Sequence, residues 1–111
     1  MTFTCTPKAL EYMQSKKNNT ILVEVVEATT SDLEIVELSI RLPDAKTKEI
    51  FLTKRGYRSV PADFGEVLLP PFPLKFQDII TFDVKKFLFI TYLIQKGIST
   101  GTVYKKETKH P

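Results

Sequence analysis

Apolar residues recur along this chain in two rhythms, a short helical one near the start and then a succession of strand-like alternations. Ala9, Leu10 and Met13 fall at helical spacing, with Tyr12 on the flank. Ahead of them, Thr6 carries an oxygen suited to capping a free backbone N–H, and Pro7 at the first helical position sacrifices no hydrogen bond. Lys16 and Lys17 suit the negative end of a helix dipole, and Asn18-Asn19 tolerates the left-handed backbone that ends helices, so the spacing predicts a helix over 7–17.

From Thr20 to Glu27 the run places Ile21, Val23 and Val25 on one face and Leu22, Glu24 and Val26 on the other, which predicts a largely buried strand. From Leu33 to Leu42, Val36, Leu38, Ile40 and Leu42 alternate with Ile35, Glu37, Ser39 and Arg41, the pattern of a half-exposed strand that Pro43-Asp44 ends. Across 44–66, Lys46, Lys48, Lys54, Arg55 and Arg58 interrupt short apolar pieces such as Ile50-Phe51-Leu52, and the segment reads as short strands. Asp63-Phe64-Gly65 reads as a turn between Tyr57–Val60 and Glu66–Leu69, and Pro70-Pro71-Phe72-Pro73 as an extended linker. Ile79 to Ile98 reads as two strands joined by a charged turn, Asp83-Val84-Lys85-Lys86, and closed by Gly97. The run from Phe87 is apolar on both faces up to Gln95, which predicts a last strand at the centre of a sheet.

A helix followed by about five strands, without regular strand–helix alternation, predicts an α+β fold: one N-terminal helix packed on a twisted, mostly antiparallel small β-sheet or sandwich. A closed barrel with one helix is the alternative. The 111 residues fit a single domain over 1–98, with 99–111 as a flexible C-terminal tail.

Charge and composition narrow the function classes. Sixteen basic against 13 acidic residues give a formal charge of +3, too small an excess to mark a nucleic-acid binder by itself. The first residues lack the basic and apolar regions of a secretory signal, and Phe87 to Ile94 is far shorter than the ~20 residues of a membrane-crossing helix. Cytoplasmic location and no membrane partner are therefore the expectations, and a single cysteine agrees with a reducing compartment.

The usual catalytic constellations are missing. The only histidine, His110, is next to last in a lysine-rich tail, which excludes histidine-assisted nucleophilic catalysis. One cysteine and one histidine do not make a zinc or iron–sulfur ligand set, and Gly56, Gly65, Gly97 and Gly101 have no phosphate-cradling spacing. Cys5 precedes the predicted helix, where the dipole would lower a thiol pKa, so it is the candidate reactive thiol; its plainer role is a small residue ending a first strand. Arg55, Tyr57, Arg58 and Lys85 are the candidate basic–aromatic surface for single-stranded nucleic acid, although strand aromatics usually belong to the core.

Taken together, Phe3-Thr4 before Pro7-Lys8-Ala9-Leu10-Glu11-Tyr12, the strand Ile21 to Glu27, and Ile80 to Phe89 followed by Gly97-Ile98 resemble the CC/Se motif family. These are small, mostly prokaryotic HesB-like proteins related to the A-type iron–sulfur carriers. The resemblance implies a small twisted β-structure with one packed helix and an origin among redox or metal-handling proteins. Where that family carries adjacent cysteines, or cysteine and selenocysteine, this chain has Ala28-Thr29-Thr30-Ser31-Asp32, and it lacks the carriers' C-terminal Cys-Gly-Cys. No cluster ligand is carried over. The expectation is a non-enzymatic, cofactor-free HesB-like module that contacts an unknown macromolecule or a small ligand, with Thr29, Thr30, Ser31 and Asp32 as a candidate partner-binding loop. A homodimer, an iron–sulfur accessory role through Cys5 in an oligomer, and single-strand binding are the alternatives.

Overall fold

The structure, a computed structural model, describes residues 1–29, 33–100, 104 and 105. Strand β1 (Thr2–Cys5) leads into helix α1 (Pro7–Ser15), followed by β2 (Thr20–Thr29) and β3 (Leu33–Arg41). Helix α2 (Ala45–Lys54) precedes β4 (Arg58–Ala62), β5 (Gly65–Leu69), β6 (Lys75–Phe87), β7 (Ile90–Ser99) and β8 (Tyr104–Lys105). One sheet has the order β1-β6-β7 and the other β4-β5-β2-β3-β8. Pairing is antiparallel except at β1-β6 and β2-β5, so the expected α+β class with mostly antiparallel strands is what the chain adopts, in two sheets.

Period-two alternation explains the layering. Phe3, Ile80, Phe82 and Ile98 of the first sheet meet Ile21, Val23, Val67 and Leu69 of the second, with Met13 of α1 joining them. Their neighbours Leu22 and Leu68 face the other side of the second sheet, where Phe51 of α2 and Tyr57 cover them. Thr20–Val23 of β2 and Val67–Leu69 of β5 are thus buried on both faces, whereas Val26 and Glu27, expected within a largely buried strand, are exposed. Each buried Leu, Ile or Val contributes about 1.5 to 3 kcal/mol.

Helix α1 starts as expected, with the Thr6 hydroxyl oxygen accepting the Ala9 N–H at 3.2 Å. It stops two residues short of the expected end because Lys17, at φ 51, takes the left-handed position. The Lys17 and Asn18 N–H groups then close onto the Gln14 and Met13 carbonyls. Asn18 acts through its side chain instead, donating to the Pro43 carbonyl at 2.7 Å and accepting the Thr20 N–H at 2.9 Å.

The structure differs from the sequence expectation at three places. Residues 45–54 are helix rather than strand: Asp44 accepts the Thr47 N–H at 2.7 Å as an N-cap, and the helix needs only Phe51 fully buried. The segment Asp83–Lys86 is no turn but continuous β6, and the reversal comes at Leu88-Phe89, with Phe87 paired to Ile90. Strand β7 lies at a sheet edge, pairing with β6 alone among the described residues. The turn at Asp63-Phe64 and the 70–73 linker fall where expected, and the β4–β5 turn leads into Gly65, where a Cβ would lie 2.0 Å from the Asn19 carbonyl oxygen.

Of the segment expected to form a loose tail, Ser99 closes β7, and the Thr100 hydroxyl donates to the Val36 carbonyl at 3.2 Å. Tyr104–Lys105 pairs with Leu33–Glu34.

Candidate functional site

Strand β6 outruns its partners. β1 pairs with it only from Ile79 to Phe82, so from Asp83 onward β7 is the sole strand neighbour of β6 among the described residues. The base of this two-stranded ribbon is anchored in three ways. The Thr6 N–H donates to the Phe82 carbonyl at 2.9 Å, and the Thr6 hydroxyl donates to Asp83 Oδ1 at 2.6 Å. Gly97, at φ 114, sits opposite the irregular stretch of β6, where a Cβ would come within 2.7 Å of the Ile79 carbonyl oxygen. Asp83 also accepts the Val84 N–H at 2.8 Å. The Thr6 hydrogen bond first, and the Val84 one second, hold its carboxyl below the ordinary 3.8.

Beyond Leu93 the ribbon leaves the core, and every residue from Lys85 to Tyr92 is exposed. At its end Phe87 is 65%, Leu88 74%, Phe89 97% and Ile90 66% exposed. Leu88 takes φ 58, a conformation that glycine or asparagine adopts at less cost than a branched apolar residue. Neither packing nor backbone geometry accounts for four apolar side chains here. The rung behind the tip pairs Lys86 with Thr91, and the next pairs Lys85 with Tyr92. An open groove of about 360 Å³ lies at the ribbon's root, lined among others by Tyr12, Arg41, Tyr92 and Leu93.

Among the described residues, those singled out in the sequence do not assemble into one site. Cys5 ends β1, as its plainer role requires, and packs beside the main core with its thiol 3.8 Å from the Met13 sulfur. Burial pushes that thiol up to about 11, opposite to the lowering expected of a helix N-terminus. It borders a cleft of about 290 Å³ with Phe3, Thr4, Leu10, Asp63 and Phe64.

Tyr57 is buried, and its hydroxyl oxygen accepts the Val25 N–H at 3.1 Å. Its ring meets Phe51 edge-on at 4.7 Å. Arg55 lies 4.4 Å over the Phe51 ring and 3.7 Å from Glu24, which also holds Arg41 at 3.0 Å. These groups brace α2 against its sheet rather than presenting a stacking platform. Arg58 is exposed on β4 and Lys85 on β6, in different sheets. In the candidate loop, Thr29 pairs with Glu34 at the end of the β2–β3 hairpin, whereas Thr30, Ser31 and Asp32 lie outside the described residues, as does His110.

Sequence reasoning placed a charged turn where the ribbon's stem lies, and so missed its tip. The available signal was the four-residue apolar block Phe87-Leu88-Phe89-Ile90 directly after two lysines. Among the described residues no group of three or more His, Cys, Asp or Glu side chains is placed to hold a metal ion, and no helix is long and apolar enough to cross a membrane. No family model matches the sequence, and neither the curated proteins nor the solved structures compared with it give a match.

Proposed function

We propose that the protein is a contact module of HesB-like type, without that family's thiols, that binds a macromolecular partner through the tip of the β6–β7 ribbon and performs no chemistry of its own. The observation that carries this reading is the exposure of Phe87, Leu88, Phe89 and Ile90 at the end of an anchored arm, with Leu88 in a backbone conformation unfavourable to it. Apolar side chains held away from the core add little to folding beyond the Phe87–Ile90 cross-strand pair. Their hydration cost is recovered only when something covers them.

The rival readings have weaker physical support. A thiol raised to about 11 stays protonated near neutral pH and is a poor ligand, which disfavours an iron–sulfur role for Cys5. Arg55 and Tyr57 are already engaged with Phe51, Glu24 and Val25, which disfavours strand stacking.

The test is a photo-crosslinking residue placed at Phe89 and, as a control, at exposed Glu11 of α1, followed by irradiation in cells that make the protein. Adducts from position 89 in clear excess over position 11 are expected. Equal labelling at the two positions, or none at 89, would sink the reading.

A further inference from the structure

We infer that the ribbon tip docks on an anionic lipid surface, entering the headgroup region with Phe87, Leu88, Phe89 and Ile90 while Lys85 and Lys86 engage lipid phosphates. This rests on the contact-module reading of the tip, with a lipid assembly in place of a single macromolecule as what the tip contacts.

Environments change in order along the ribbon axis. The outermost layer is apolar, the turn Leu88-Phe89 together with the Phe87–Ile90 rung. One rung back stand Lys86 and Thr91, and two rungs back Lys85 and Tyr92, at roughly 3.4 Å per rung. Apolar tip, then ammonium groups and a tyrosine within about 7 Å, is the succession of environments met on entering a bilayer interface. Long lysine stems suit that position, since they lie along apolar surface while the charged end reaches outward.

The ribbon's charge is of one sign. From Val84 to Ile98 the charged residues are Lys85, Lys86 and Lys96, with no carboxylate. Asp83, at the foot of the ribbon, is occupied by Thr6 and the Val84 N–H. A second copy of this chain, meeting ribbon to ribbon, would bring like charges together. An anionic surface is attracted instead, by juxtamembrane-type lysines.

The shape of the tip also suits a lipid interface. The four tip residues expose on the order of 500 Å², below the roughly 800 Å² per partner of a stable protein–protein interface. They do so on a convex end, to which a fluid interface conforms. The expectation of no membrane partner rested on the length needed to span a bilayer; docking at its surface requires no span.

The chain contains no tryptophan, so Phe89→Trp installs a unique fluorescent reporter at the most exposed aromatic position among the described residues. The full chain is titrated with vesicles of phosphatidylcholine alone and with vesicles containing phosphatidylserine. The expected result is a blue shift of the indole emission on the anionic vesicles, with little change on neutral ones. Adding K85A and K86A should weaken that binding about thirtyfold, with the circular dichroism spectrum unchanged. No shift on anionic vesicles, or an equal shift on neutral ones, overturns the proposal. A shift that grows with protein concentration in the absence of vesicles also overturns it, in favour of a second copy. Crosslinking at position 89 to a protein, without vesicle binding, would overturn the lipid assignment and leave the contact-module reading standing.

Discussion

The Thr6 hydroxyl donates to Asp83 Oδ1 at 2.6 Å across a separation of 77 residues, fastening the start of α1 to the foot of the projecting ribbon. The same Thr6 oxygen accepts the Ala9 N–H, so one side chain caps the helix and orients the arm. Thr6→Val should lose the cap at a cost of about 1 kcal/mol, and free the Asp83 carboxylate as well. Thr6→Ser, which keeps the hydroxyl, should restore most of the stability in a urea titration. If serine proves no better than valine, the hydroxyl is not the operative group.

Asp83 also sets a pH dependence. Its carboxyl is held below the ordinary 3.8 in the folded chain, chiefly by the Thr6 hydrogen bond, so the unfolded state takes up its proton first as pH falls. The stability it contributes is therefore present above the unfolded value and is lost as pH drops through the folded one. Asp83→Asn should flatten the acid limb of the stability–pH curve below about pH 4, with no comparable change in slope between pH 6 and 8. An unchanged acid limb would remove Asp83 from the account.

Lys17 closes α1 at φ 51, and its neighbours' backbone bonds require that conformation. Lys17→Gly should raise stability by about 0.5 to 1 kcal/mol, since glycine carries no Cβ against the preceding turn. The urea midpoint reads this directly. A lower midpoint would mean that the lysine side chain contributes more than its backbone conformation costs.

How much of this was legible in the sequence depends on how many layers each segment touches. Ile21-Leu22-Val23 reads as buried because both faces are apolar, and all three are fully buried. Thr6-Pro7 reads as a helix start because the cap is local chemistry. Helix α2 was not legible by periodicity because only Phe51 is fully buried, so no stripe forms; its signals were Asp44 before it and Gly56 after it. The ribbon defeated pattern reading for a different reason. An apolar run normally means core, and here Phe87-Leu88-Phe89-Ile90 is the most exposed apolar block of the described chain. The fold class followed from patterns of burial, whereas the candidate site violates them, which is where functional residues are expected to stand.

Phe51 tests whether α2 is held as the structure indicates. It is the helix's one fully buried side chain, meeting Tyr57 edge-on at 4.7 Å and carrying Arg55 on its face at 4.4 Å. Phe51→Ala should cost about 3 to 5 kcal/mol and reduce the helical signal in circular dichroism. Tyr57→Phe, which keeps the ring but strands the Val25 N–H, should cost only about 1 kcal/mol. Equal losses in the two variants would mean that the Tyr57 hydrogen bond holds α2 as strongly as the packing of Phe51 does.

Leu88 brings stability and binding into opposition. At φ 58 and 74% exposed, it costs the fold backbone strain and returns no core contact. Leu88→Gly should therefore raise the urea midpoint, by about 1 kcal/mol in stability, because the turn then has the residue its geometry favours. If the apolar tip is the contact surface, the same substitution should diminish crosslinking from position 89 and weaken vesicle binding. A substitution that stabilises the molecule while impairing its interaction is the signature of a residue retained for contact rather than for folding. If Leu88→Gly stabilises the protein and leaves both readouts unchanged, the tip's apolar character serves neither purpose. The contact surface would then have to be sought at the groove beneath it, between Tyr12, Arg41 and Tyr92.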